Sequence, residues 1–148
     1  MVGMYSERLI VRNFGPITNL DIEFRRLTLF IGDQGSGKST LSKLLTICRD
    51  YNWWLLMLEN ADAEDVKKPF YDFGINEFFM DDTYICYTMT GLSIKYENGT
   101  FSIVSDNISA DDIKTYFLYL NKRYGSGLDV AVDEAQAKEL EPYARAVL

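Results

Sequence analysis

Gly32-Asp33-Gln34-Gly35-Ser36-Gly37-Lys38-Ser39-Thr40 is the stretch on which the reading of this chain turns. Its first eight residues fit the pattern Gly-x-x-x-x-Gly-Lys-Ser/Thr without a mismatch. Each part has a physical task. The glycines allow a tight loop whose backbone N–H groups turn inward around an anion. A helix that starts at the loop adds its own unpaired N–H groups and the positive end of its dipole. Lys38 is expected to reach the β- and γ-phosphates of a nucleotide as a point charge, and the Ser39 hydroxyl to ligand Mg²⁺. Thr40 supplies a further hydroxyl near the α-phosphate. With glycine near 7% of residues, the constrained positions match by accident in roughly one chain in a hundred or fewer.

The flanks supply the context that such a loop demands. Three short strands are expected before it. Arg8–Asn13 is the first, ended by the turn Phe14-Gly15-Pro16. Leu20-Asp21-Ile22-Glu23-Phe24 alternates apolar and acidic residues, as a half-exposed strand does. Leu27–Ile31 is more continuously apolar, as a strand buried on both faces would be. After the loop, Leu41, Leu44, Leu45, Cys48, Tyr51, Leu55 and Leu58 recur at helical steps, which predicts one helix from Gly37 to about Asn60. An acidic, irregular or partly helical stretch follows to Lys67-Lys68-Pro69, where proline discourages continuation. Thr83–Thr90, Leu92–Tyr96 and Thr100–Val104 read as an antiparallel meander, with Glu97-Asn98-Gly99 as its hairpin turn. A further helix is expected from Ser109 as N-cap to Tyr124, and a last one from Asp133 to about Leu140.

Composition narrows the function classes. The chain has 148 residues, room for one domain or lobe, with 47% hydrophobic and 25% charged residues. No apolar run approaches the ~20 residues needed to cross a bilayer, so no membrane role is expected. Residues 1–8 lack the basic start and apolar stretch of a signal peptide, and Cys48 and Cys86 have no metal-like spacing. A cytoplasmic, reduced protein is therefore expected. The net charge of −7 is concentrated in residues 75–148, which carry 6 basic against 12 acidic side chains. Such a chain cannot attract nucleic acid by its overall field, so contact with DNA or RNA is expected only indirectly. There is no histidine, which excludes His-based triads and imidazole metal sites.

The order of elements carries a resemblance. In nucleotide kinases and GTPases the phosphate loop typically follows the first strand; here it follows the third. Val11-Arg12-Asn13-Phe14-Gly15-Pro16-Ile17, Leu20–Phe24 and Leu29–Leu41 resemble the N-terminal lobe of the ABC-type AAA ATPase heads of SMC proteins, RecF and OLD-type nucleases. The likeness is specific over residues 8–45 and softer to 106. It implies an α/β P-loop NTPase fold with a mixed sheet, the loop's helix packed on it, and an antiparallel β-subdomain at one edge. It implies ATP and Mg²⁺ as ligands, and Arg12 and Asn13 as further nucleotide contacts from the first strand. It also implies a second ATPase lobe or head, in a homodimer or from a partner subunit, since two such heads sandwich the nucleotide.

The departures define what is left open. Family heads carry a Ser-Gly-Gly signature, a Walker B strand ending Asp-Glu and a switch histidine in a second lobe, which is not evident here. Tyr124-Gly125-Ser126-Gly127 reads better as a helix-terminating loop. Asp133-Glu134 resembles a Walker B end, but the acidic start of a helix is the preferred reading. The chain is thus read as an ATP·Mg²⁺-binding lobe of residues 1–148 that hydrolyses ATP only when completed. A non-enzymatic P-loop interaction module and a small-molecule P-loop kinase are the alternatives, the kinase disfavoured because Arg123 is the only arginine between Lys67 and Arg145. Phe14 is expected in the core. Of each adjacent pair, Trp53-Trp54 and Phe78-Phe79, at most one member is expected fully inside.

Overall fold

The computed structural model describes residues 7–24, 28, 31–35, 37–59, 61–89, 92–105, 111, 112, 114, 115 and 118. Strands β1 (Glu7–Phe14) and β2 (Ile17–Phe24) form a hairpin. Helices α1 (Lys38–Cys48), α2 (Tyr51–Leu58) and α3 (Ala63–Asp72) follow, then a short 3-10 turn at Asn76–Phe78. β3 (Tyr84–Met89), β4 (Leu92–Glu97) and β5 (Thr100–Ser105) complete the order. Residues 111, 112, 114, 115 and 118 are helical, and Leu118 packs against the core. Among the described residues no helix is long and apolar enough to cross a membrane.

Alternation along the strands builds one sheet in the order β2-β1-β3-β4-β5. Leu9 and Val11 of β1, Ile85, Tyr87 and Met89 of β3, and Leu92, Ile94 and Tyr96 of β4 are buried, and all join the core with the helices. Arg8, Asp21, Glu23 and Glu97 are exposed. The Glu97–Thr100 hairpin turns through Asn98 and Gly99, both at positive φ, as a type I′ turn requires.

Two expectations about the sheet are corrected. It is antiparallel at every junction among the described residues rather than mixed. The antiparallel meander lies at one edge, as expected, and it joins the same sheet because β3 pairs directly with β1, Leu9 opposite Tyr87 and Val11 opposite Ile85. The chain leaves β2, crosses one face as helices and returns on the far side of β1. The third strand expected at Leu27–Ile31 is not seen where that segment is described. Thr28 and Ile31 lie outside any strand, and Ile31 is 86% exposed. Residues 27, 29 and 30 lie outside the described residues.

The single helix expected over residues 37–60 is two. Asp50 is extended between them, and its side chain accepts a hydrogen bond from the Asn52 N–H at 2.9 Å. Aspartate is a preferred N-cap because it satisfies one of the orphan donors of a new helix. The break re-aims α2 so that both tryptophans are buried, against the expectation for that pair. Trp53 donates its indole N–H to the Val66 carbonyl at 2.8 Å and packs on Phe70 and Phe101. Trp54 donates to the Cys48 carbonyl at 2.7 Å and packs on Tyr87. Asp50→Ala is expected to cost about 1 kcal/mol, the usual loss of an N-cap. Urea unfolding with an unchanged slope is the measurement.

The acidic stretch after residue 60 is a full helix, continuing through Pro69 to Asp72. Proline removes the bond to the Asp65 carbonyl, and Asp65 lies on the exposed side. Val66 and Phe70, buried on the other side, hold the helix against the core. At the far end of the sheet, Glu7 is 2% exposed yet accepts two hydrogen bonds from Arg49, at 2.7 and 3.0 Å, and one from the Tyr87 hydroxyl at 2.8 Å. The hydrogen bonds to Glu7 raise the Arg49 pKa, so this pair ties the end of α1 to β1 across the pH range in which the carboxylate is ionised.

Candidate functional site: the loop entering the first helix

The geometry at the loop follows from its glycines. Gly37 is the N-cap of α1 with φ 96° and ψ 6°, a left-handed conformation that a side chain disfavours. A Cβ there would also meet Ile17 Cγ1 at 2.9 Å. Gly35 takes φ 84° in the same loop. The first helical bond runs from the Leu41 N–H to the Gly37 carbonyl at 2.9 Å. The amides of Lys38, Ser39 and Thr40 therefore precede the first intrahelical donor, as the opening amides of any helix do. No acidic residue occupies the first turn of α1, so nothing there offsets the positive end of its dipole.

These groups line a cavity of about 340 Å³, together with Gln34, Gly35, Gly37 and Pro16. The Lys38 ammonium donates to the Gly32 carbonyl across the loop. Gly32, Asp33, Gln34 and Gly35 are exposed, Ser39 is exposed, and Thr40 is buried. Ser36 lies outside the described residues. The residue types around the cavity, a lysine, two hydroxyl residues and the start of a helix, are those a polyphosphate site uses. Among the described residues no group of three or more Cys, Asp or Glu side chains gathers to hold a metal. A Mg²⁺ here would be held by Ser39 with the phosphates, which is how this ion usually binds beside nucleotides.

The remaining sequence candidates lie at the end of β1. Arg12 is exposed and places its guanidinium over the Tyr84 ring, 5.3 Å from the centroid. Asn13 takes φ 52° and donates its side-chain amide to Asp82 at 2.9 Å. Neither lines the cavity. Phe14 is fully buried, edge-on to Phe70, Phe78 and Phe79, so its expected place in the core holds. Phe78 and Phe79 are each partly buried. The segments Tyr124–Gly127 and Asp133-Glu134 lie outside the described residues. The Cys48 thiol is driven strongly toward its neutral form by burial, which makes it an inert core group.

The cavity wall formed by Pro16, and the contact of Ile17 with Gly37, are absent from the sequence reading. Phe14-Gly15-Pro16 was legible only as a turn. Nothing in residue spacing places that turn against a loop more than fifteen residues later.

The family described as AAA ATPase domain matches residues 4–145. The nisin transport ATP-binding protein NisT of Lactococcus lactis subsp. lactis is 28% identical over 110 residues, covering 69% of this chain and 18% of that protein. The chain thus spans less than a fifth of the relative's length. No solved structure matches the chain.

Proposed function

The chain belongs to the AAA ATPase domain family, and we propose that it is the ATP·Mg²⁺-binding lobe of an ATPase head of the SMC/RecF-like ABC type. One observation supports this reading: a left-handed glycine N-cap starts α1 beside a cavity lined by Lys38, Ser39 and Thr40. In this proposal residues 32–40 bind the phosphates. The amides take the charge, Lys38 bridges the β- and γ-phosphates, and Ser39 ligands Mg²⁺. Arg12 and Asn13 complete the set at the end of β1, which leads into the turn that walls the cavity. The similarity to a transport ATP-binding protein supports nucleotide binding in this chain as well.

Hydrolysis belongs, in the same proposal, to a completed site. A second lobe or head, from another copy or a partner subunit, supplies the groups that polarise water and close over the γ-phosphate. Residues 1–148 act as one binding unit in a cytoplasmic setting. Calorimetric titration with ATP·Mg²⁺, with phosphate release followed in the same samples, tests both halves. Saturable binding is expected, with release well below about 1 s⁻¹, the low end of ordinary turnover. Release at or above that rate would mean the chain needs no completion. No binding would sink the proposal.

A further inference from the structure

The turn between β1 and β2 is fastened on one side and presses on the phosphate-binding loop on the other. On the fastened side three hydrogen bonds reach it from residues 78–83. The Gly15 N–H donates to the Phe78 carbonyl at 3.3 Å, the Asn13 amide to Asp82 at 2.9 Å, and the Thr83 hydroxyl to the Asn13 carbonyl. Thr83 is itself held, accepting from the Met80 N–H at 2.8 Å. Gly15 lies so close to the Phe78 ring that a Cβ would come within 2.5 Å of it. On the pressing side, Ile17 and Pro16 face Gly37, and Pro16 forms part of the cavity wall.

Gly37 is the hinge of the loop, because its backbone angle decides where the amides of Lys38–Thr40 point. A glycine at φ 96° has many other conformations open to it. Packing by Ile17 removes the space those alternatives need. We propose, resting on the reading that the loop binds ATP·Mg²⁺, that the β1–β2 turn is a locked wall that keeps the loop in its binding shape. Ile17 is the positioning residue, and Asp82 is a remote anchor that acts through Asn13. Neither is assigned contact with the nucleotide. The apparent affinity of such a site equals the intrinsic affinity multiplied by the fraction of molecules whose loop is correctly shaped.

The test uses the full chain and reads both nucleotide affinity and amide hydrogen exchange at residues 35–38 without nucleotide. Ile17→Ala is expected to weaken ATP·Mg²⁺ binding about ten-fold, as it would if the competent fraction fell to about a tenth. Exchange at the loop should accelerate while the amides of β3 and β4 keep their protection. Ile17→Val, which keeps most of the packing, should restore both. Asp82→Ala alters an exposed side chain and so guards against a variant that fails to fold. It should weaken binding about two- to three-fold and speed exchange at residues 13–17 as well as at the loop. Wild-type affinity with wild-type loop exchange in both alanine variants would overturn the inference. If the wild type bound no ATP·Mg²⁺, the functional proposal would fall, and loop exchange in the same variants would still decide whether the turn governs the loop.

Discussion

Lys38→Ala is expected to bind ATP·Mg²⁺ at least thirty-fold more weakly than the wild type, with a melting temperature that barely moves. The affinity loss follows from the kind of contact removed. A charged hydrogen bond is worth about 1.5–3 kcal/mol, and each ~1.4 kcal/mol is a factor of ten in affinity. Losing both of the phosphate contacts proposed for Lys38 would place the effect at the upper end, near a hundred-fold. Stability is spared because, among the described residues, the Lys38 side chain makes one hydrogen bond, to the Gly32 carbonyl, on an exposed face of the loop. Surface changes of that sort usually stay within about 0.5 kcal/mol. Lys38→Arg is expected to fall between the two, since a planar guanidinium does not replace a compact ammonium among converging amides. Calorimetry beside thermal unfolding separates the outcomes. Undiminished binding by Lys38→Ala would move the nucleotide away from this loop.

Phe70→Ala is expected to have a large effect on folding. Phe70 is 1% exposed and touches Phe14, Trp53, Phe79 and Phe101, so it joins α3 to α2, β1 and β5. Truncating a buried phenylalanine costs about 3–5 kcal/mol through lost transfer energy and the cavity left behind. That is a large part of the roughly 5–15 kcal/mol that holds a domain together, and it should lower the melting temperature on the order of 10 °C. The neighbour Tyr71 is 63% exposed, and Tyr71→Ala should change stability by less than about 0.5 kcal/mol. Unfolding curves for the two variants make the comparison. Equal losses would mean that α3 does not face the core as described. Because Phe14 precedes the turn that walls the cavity, Phe70→Ala should weaken nucleotide binding as well.

The contrast between these two residues shows what could be read from the chain and what could not. The turn that opens α1 at Lys38 was legible because its cause is local: glycines, lysine and hydroxyls within nine residues dictate a turn and a helix start. The strands around Leu9, Ile22, Ile85, Ile94 and Phe101 were legible for a similar reason, since alternation reports which face is covered. Phe70 was not. It follows a proline, and local propensity stops the helix there. Burial against four aromatic rings from other elements outweighs that preference.

By itself, then, the sequence determined the glycine-rich turn into α1, the family the chain belongs to, the strand alternation and the Asn98-Gly99 hairpin. Each of these rests on neighbours in the chain and on backbone angles that glycine and asparagine permit. Only the tertiary structure decided that α1 and α2 break at Asp50, that both tryptophans go inside, and that β3 lies against β1 in a single antiparallel sheet. It alone brought Ile17 against Gly37 and Asp82 to Asn13. Such contacts join residues 20 to 69 positions apart, and they form because closing the core buries more apolar surface than local preferences can resist.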